Sequence, residues 1–220
     1  QFLEERKEEA LLQSLKEVEK LCEGLTISYI SDPKPLGDGH AILQAAKRLK
    51  DEPAFVFYPD DVMVEAEPPV ASQLAQVFST SERPVFALAK VPQERVGSYG
   101  VAAGSSITNR VLKLQKIVEK PASHQAPSDL AIAGRSIITP DVVAYLKKRE
   151  KEALKKELRL TEVAAEMVQD GKVVYGYEFR GRWLECGDKL NWMQSFLYFM
   201  LAHPEMGKDM QRFVKERKLL

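Results

Sequence analysis

The stretch AFVFYPDD, from Ala54 to Asp61, decides the fold. Five apolar residues run without a polar break over the length of a strand, as in a parallel strand covered on both faces. Pro59, Asp60 and Asp61 end the run abruptly. Working outward, PVFALAKV at 84–91 is a second buried strand, and a helical pattern over 69–80 separates the two. On the N-terminal side, a turn-rich stretch at 31–39 leads into a helix over 40–50. Before it lie a short β-rich run, TISYI at 26–30, and an amphipathic helix over 2–22. Leu11, Leu15, Val18 and Cys22 share one face of that helix, which stops at Gly24.

Towards the C-terminus the pattern shortens to strands and turns: around 99–101, then 111–119 and 130–138. Helices follow at 140–154 and 161–169, a strand at 172–179, and two closing helices at 189–202 and 204–218. Strands alternating with helices predict an α/β sheet with helices on both faces. Residues 1–187 are expected to form the main domain and 188–220 a helical tail. The Lys- and Glu-rich run at 147–157 reads as a solvated face.

Composition narrows the function. Lys plus Arg number 32, as do Asp plus Glu, so no bulk charge favours nucleic acid or an acidic membrane. Two cysteines, Cys22 and Cys186, are too few for a disulfide framework and lack metal-ligand spacing. No signal peptide and no apolar run near the roughly 20 residues of a membrane span are present. The expected location is the cytoplasm. The chain opens at Gln1 inside a helical pattern, and an N-terminal piece is expected to be missing.

In open α/β sheets ligands sit beyond the C-terminal ends of strands, so the residues just past each run are the candidates. Asp60 and Asp61 are either oxygen ligands for a hard cation or turn aspartates. Glu119-Lys120-Pro121 after 111–119 is either a sugar and phosphate contact or an exposed ion pair. Gly37-Asp38-Gly39-His40 joins a strand to a helix, where glycines allow close backbone approach to a ligand; it is neither a P-loop nor a GxGxxG fingerprint. Glu185 and Asp188, in WLECGDK at 183–189, either serve a cation or cap a helix. His40, His124 and His203 have no metal spacing, and no nucleophilic triad is visible. Trp183 and Trp192 read as packing.

Taken together, the motifs are more specific than any one alone: LGDGHA (36–41), FYPDD (57–61), YGV (99–101), VEKP (118–121), LAIAGR (130–135), ELRLTE (157–162) and CGDKLNWMQ (186–194). This series resembles the bacterial UTP–glucose-1-phosphate uridylyltransferase family, whose pattern is close to LGLGHA, LPDD, YGV, VEKP, LAIVGRY, GEIQLTD and DCGDKLGY. The resemblance covers essentially the whole chain. It implies a Rossmann-like nucleotidyltransferase fold with a mixed, mainly parallel central sheet, truncated at its N-terminus. The implied reaction converts UTP and glucose 1-phosphate to UDP-glucose and pyrophosphate with Mg²⁺, by in-line attack of the sugar phosphate oxygen on the α-phosphorus.

By the same resemblance, Asp60 binds the metal with Glu185 as second ligand, and Lys120 meets the sugar phosphate. Gly100 and Glu119 contact glucose, Ala133, Gly134 and Glu157 surround it, and Gly37, Gly39 and His40 line the uracil pocket. Family members form homo-oligomers, and the C-terminal helices suit that purpose. Four departures stand out. Glu185 replaces an Asp, Asp38 a Leu, Arg159 a Gln, and Ser136 a Tyr. Asp32 aligns with a base-reading glutamine, which leaves another nucleotide, such as dTTP, open. The family's opening GxGTRxxPxTK loop is not among these 220 residues, so an inactive interaction or regulatory subunit is the third reading.

Overall fold

The computed structural model describes residues 9–217. The chain divides into two units, 1–31 and 32–220. In the first, α1 (Glu9–Leu21) carries the expected helical period and gives way to a turn at Gly24, whose φ of 81° suits a residue without a side chain. Residues 2–8 of the expected helix lie outside the described ones. The strand expected at 26–30 does not form: β propensity needs a ladder partner, and none pairs with it among the described residues.

The second unit begins with α2 (Asp38–Ala46), then β1 (Ala54–Phe57), β2 (Asp61–Val64), α3 (Val70–Ser81) and β3 (Val85–Lys90). A short 3₁₀ turn (Gln93–Ser98) leads to β4 (Gly100–Thr108), β5 (Val111–Glu119) and β6 (Leu130–Ile138). The chain continues through α4 (Pro140–Arg149), α5 (Leu160–Gln169), β7 (Tyr175–Glu178), β8 (Arg182–Glu185), α6 (Lys189–Ala202) and α7 (Gly207–Glu216). No described helix is long and apolar enough to cross a membrane.

Six strands form one sheet in the order β1-β6-β3-β7-β5-β4, and β2 pairs with β8 separately. The sheet is mixed. β1, β3, β4 and β7 run one way and β5 and β6 the other, yet β3–β7 is the one parallel neighbour pair among the described strands. The parallel majority therefore holds for strand direction and not for adjacency, because β6 inserts antiparallel between β1 and β3.

β3 shows why PVFALAKV reads as a buried strand. Successive side chains point to opposite faces. Phe86 and Leu88 enter a core built with α2, α4 and α5, and Val85 and Ala87 a second core under α3. Each such Leu or Phe contributes about 1.5–3 kcal/mol by leaving water. β1 departs from its expected setting. It is an edge strand, antiparallel to β6, and Phe55 and Phe57 stay 43% and 51% exposed with their rings 5.7 Å apart. Its apolar run is continuous, but only Ala54 and Val56 pack on the core.

One feature of β6 positions the site. On the edge away from β3, β6 pairs with β4 at Ala131 and with β1 from Arg135 onward. β4 and β1 diverge over the residues between, and a cavity opens there.

Candidate active site

The cavity is about 410 Å³, and Ile132, Ala133 and Gly134 of β6 line its floor. Gly37 and Asp38 come to it from the start of α2, Asp60 and Asp61 from the β1–β2 turn, and Tyr99 and Gly100 from the start of β4. Glu119 and Lys120 arrive from the end of β5, and Glu157, Arg159 and Thr161 from the approach to α5. Segments far apart in sequence meet here because each lies at a strand end or helix start facing the same gap.

Three glycines of the wall are there for space. A Cβ on Gly134 would lie 2.0 Å from Oδ2 of Asp61, and one on Gly100 3.1 Å from Oε2 of Glu119. Gly37, with φ of 112°, brings α2 against the Leu158 backbone, 2.4 Å from where its Cβ would be.

Most charged groups of the wall are already committed. Asp38 accepts from the Tyr58 hydroxyl and from the amides of Gly39 (2.9 Å) and Leu160 (3.3 Å), tying α2 to α5. Burial, then the Asp38 charge, raises the Tyr58 phenol well above its ordinary pKa. Glu119 accepts from Arg159 at 2.5 Å and from the Thr161 hydroxyl at 2.7 Å, and Arg159 also binds Glu157 at 2.6 Å. The Trp183 indole donates to Asp61, whose carboxyl is pushed up to about 6 mainly by burial. Arg135 reaches over from β6 to the Tyr58 carbonyl (2.8 Å), the Gly134 carbonyl (2.7 Å) and the Asp61 carbonyl, which secures the turn that carries Asp60. In contrast, the Asp60 carboxylate and the Lys120 ammonium have no hydrogen-bond or ion-pair partner among the described residues. Lys120 is held in the left-handed region at φ 44°, its amide bonded to the Tyr99 carbonyl at 3.0 Å.

Glu185 ends β8 directly opposite Asp61 and borders a neighbouring cavity. Its Oε2 accepts from Arg95 (3.1 Å), Tyr99 (3.2 Å) and Asn191, and its Oε1 from the Gly187 amide at 2.9 Å. Burial and the Glu185 charge push the Tyr99 phenol up to about 12. A Cβ on Gly187 would meet Oε1 of Glu185 at 2.6 Å and Oδ2 of Asp60 at 3.5 Å, so these two oxygens converge on one space that glycine leaves open. No three His, Cys, Asp or Glu converge in this way among the described residues. Two carboxylate oxygens completed by substrate phosphate and water fit a small hard cation. Asp188 accepts from the Asn191 amide at 2.9 Å and caps α6.

Of the residues singled out in the sequence, Gly37, Asp60, Gly100, Glu119, Lys120, Ala133, Gly134 and Glu157 share this wall. Gly39 and His40 do not. Gly39 is buried, and a Cβ there would meet Leu146 and Leu158. His40, 8% exposed, binds Asp32 through Nδ1 at 2.9 Å and Gln44 through Nε2 at 3.3 Å. Tyr58, Arg135 and Thr161 lie within the motifs FYPDD, LAIAGR and ELRLTE, but nothing local assigns them a role, since their partners are distant in the chain.

Residues 2–197 match the nucleotidyl transferase family. A UTP–glucose-1-phosphate uridylyltransferase of Staphylococcus epidermidis is 32% identical over 202 residues, 92% of this chain and 69% of the relative. The chain belongs to the UTP–glucose-1-phosphate uridylyltransferase family. A second such relative, from Staphylococcus haemolyticus, is 33% identical over 97% of this chain and 72% of its own length. The fold agrees: a UDP-glucose pyrophosphorylase from Acinetobacter baumannii superposes with a TM-score of 0.82 at 28% identity, over 97% of this chain and 73% of that one. A UDP-glucose pyrophosphorylase complexed with UDP-glucose superposes at 0.77, also at 28% identity, over 85% of this chain and 71% of that one.

Proposed function

We propose that the chain transfers a uridylyl group from UTP to glucose 1-phosphate, releasing pyrophosphate. The observation that carries this reading is the pair of uncommitted charges. In a wall where the other acids and Arg159 already have partners, Asp60 and Lys120 remain available, one for a cation and one for a phosphate.

The chemistry needs no covalent protein intermediate. A phosphate oxygen of the sugar forms the new bond to the α-phosphorus as the bond to pyrophosphate breaks, and both reactants are anions. The work for the protein is to align them and offset their repulsion. Lys120 meets the sugar phosphate. Glu119 and the Gly100 backbone hold sugar hydroxyls, with Ala133, Gly134 and Glu157 around the ring and Gly37 at the mouth. Asp60 and Glu185 would hold Mg²⁺, which supplies positive charge next to the transferring phosphates. Five carboxylates line the cavity against Lys120 and Arg159, a balance that by itself repels anionic substrates and that a divalent ion corrects.

The exposed apolar residues of α6, Leu190, Trp192, Met193 and Phe196, are 65%, 55%, 61% and 55% accessible, which supports the homo-oligomer reading. Light scattering on the purified chain tests it, a monomer counting against it.

The test of the activity is UDP-glucose formation from UTP and glucose 1-phosphate, with and without Mg²⁺. Turnover that requires Mg²⁺, favours UTP over dTTP and disappears in Asp60→Asn is expected. Near-normal rates in Asp60→Asn remove that residue from the metal site, and a preference for dTTP overturns the uridylyl assignment.

A further inference from the structure

A second cavity, of about 760 Å³, lies across Tyr99 from the first, and Tyr99 stands in the wall of both. Its wall holds Lys90, Arg95, Arg110, Arg180 and Arg182 against two carboxylates, Glu178 and Glu185. In a chain whose charges balance at 32 of each sign, this is a local excess of positive charge.

The carboxylates do not neutralise it. Arg95 is paired with Glu185 at 3.1 Å, and Arg110 with Glu178 only at 3.8 Å. Arg182 turns to Glu65, outside the wall, at 3.3 Å. Lys90 and Arg180 have no side-chain partner among the described residues. Gathering like charges without counter-ions costs free energy, and a bound anion recovers it.

The cavity is also built rather than incidental. Gln73, 1% exposed, clamps the backbone at Arg180 from both sides: its Oε1 accepts from the Arg180 amide and its Nε2 donates to the Arg180 carbonyl, each at 2.9 Å. Gly181, with φ of 130°, makes the following turn at a point where a Cβ would lie 2.7 Å from that of Ala66. A buried side chain therefore fixes the loop that carries Arg180 and leads into Arg182 at the start of β8. Asn191, Gln194 and Ser195 of α6 add polar groups on the opposite side.

We propose that this cavity, which adjoins the proposed active site at Tyr99 and Glu185, is a second binding site for a small molecule bearing phosphate groups. Planar guanidinium groups match phosphate oxygens in pairs, and the volume suits a ligand of nucleotide size. The proposal does not depend on the uridylyl reading, since its test measures binding and not turnover.

The experiment is calorimetric titration of the purified chain with inorganic pyrophosphate, in EDTA so that no metal-dependent binding contributes. Lys90→Ala/Arg180→Ala is expected to weaken binding by about thirtyfold or more, since two charge-assisted contacts are removed. Lys90→Arg/Arg180→Lys, which keeps both charges, is expected to retain most of the affinity, and Lys120→Ala in the first cavity to leave it unchanged. Lys90 and Arg180 are exposed, so neither variant threatens the fold. Absence of pyrophosphate binding, wild-type affinity in the double alanine variant, or loss of binding in Lys120→Ala would each overturn the proposal.

Discussion

Arg159 donates to Oε1 of Glu119 at 2.5 Å while the same guanidinium holds Oε2 of Glu157 at 2.6 Å, so one cation is shared between two acids of the proposed sugar site. The side chains of Arg159 and Glu119 are 29% and 17% exposed, enough burial for an unpaired carboxylate to be costly. Arg159→Ala leaves two unbalanced negative charges facing a sugar phosphate. Its KM for glucose 1-phosphate is expected to rise about tenfold with a much smaller change in kcat, read from steady-state rates. Arg159→Gln still donates one hydrogen bond to Glu119 and should fall between. An unchanged KM in the alanine variant would place the sugar elsewhere.

That relationship also marks the limit of what the sequence displays. PVFALAKV announces a strand covered on both faces because its apolar run is nearly unbroken, and β3 divides those positions between two cores. AFVFY has a similar composition but lies at a sheet edge, because the partner of a strand is a property of the whole chain and not of its own period. Likewise FYPDD, VEKP and LAIAGR point to a ligand site, but the change of partner along β6 that opens the cavity has no local signature. In the sequence Asp38 stands in a glycine turn as a departure from the family's Leu. In the fold it is bound by Tyr58, twenty residues on, and by the first turn of α5. Side chains committed to distant partners are the ones that local patterns misplace.

Asp61 carries a pH dependence whose sign is set by its surroundings. Burial pushes its carboxyl up to about 6 from an ordinary 3.8, against the Trp183 hydrogen bond that opposes the shift. The folded state thus binds more protons than the unfolded state between these values. The stability that Asp61 contributes is full below about 3.8 and is lost as pH rises through about 6. Asp61→Asn keeps an oxygen for the Trp183 N–H and removes the ionisation. The difference in Tm, variant minus wild type, is expected to grow more positive from pH 4 to pH 8. A flat difference across that range would mean that Asp61 titrates normally.

Gly134 separates steric need from backbone need. A methyl group there would press on Asp61 Oδ2 at 2.0 Å and Tyr58 Cβ at 2.7 Å, and both neighbours are held, by Trp183 and by Asp38. Gly134→Ala is expected to cost about 1–3 kcal/mol by overpacking and to narrow the cavity. Gly171, with φ of 76° and open space around it, offers the contrast. Gly171→Ala there should cost about 1–2 kcal/mol from the left-handed backbone alone, with no effect on ligand binding. Denaturant unfolding and UDP-glucose affinity, measured together, separate the two cases.

Arg135 is the last link between the sheet and the proposed metal site. Its guanidinium spans the Tyr58, Gly134 and Asp61 carbonyls, so β6 holds both ends of the turn from which Asp60 projects. It is further held by Phe57, whose ring centroid lies 4.8 Å from the guanidinium carbon. Lysine keeps the charge but cannot reproduce the planar fork, so Arg135→Lys should loosen the turn without removing a charge. Its Mn²⁺ affinity, followed by electron paramagnetic resonance, is expected to fall about tenfold, the usual scale for a group that orients a metal ligand. Asp60→Asn should lose that binding outright. If Arg135→Lys instead lowers Tm while Mn²⁺ affinity stays at the wild-type value, Arg135 supports the β1–β6 ladder alone and Asp60 is positioned by the Cys186 amide on its carbonyl at 2.7 Å.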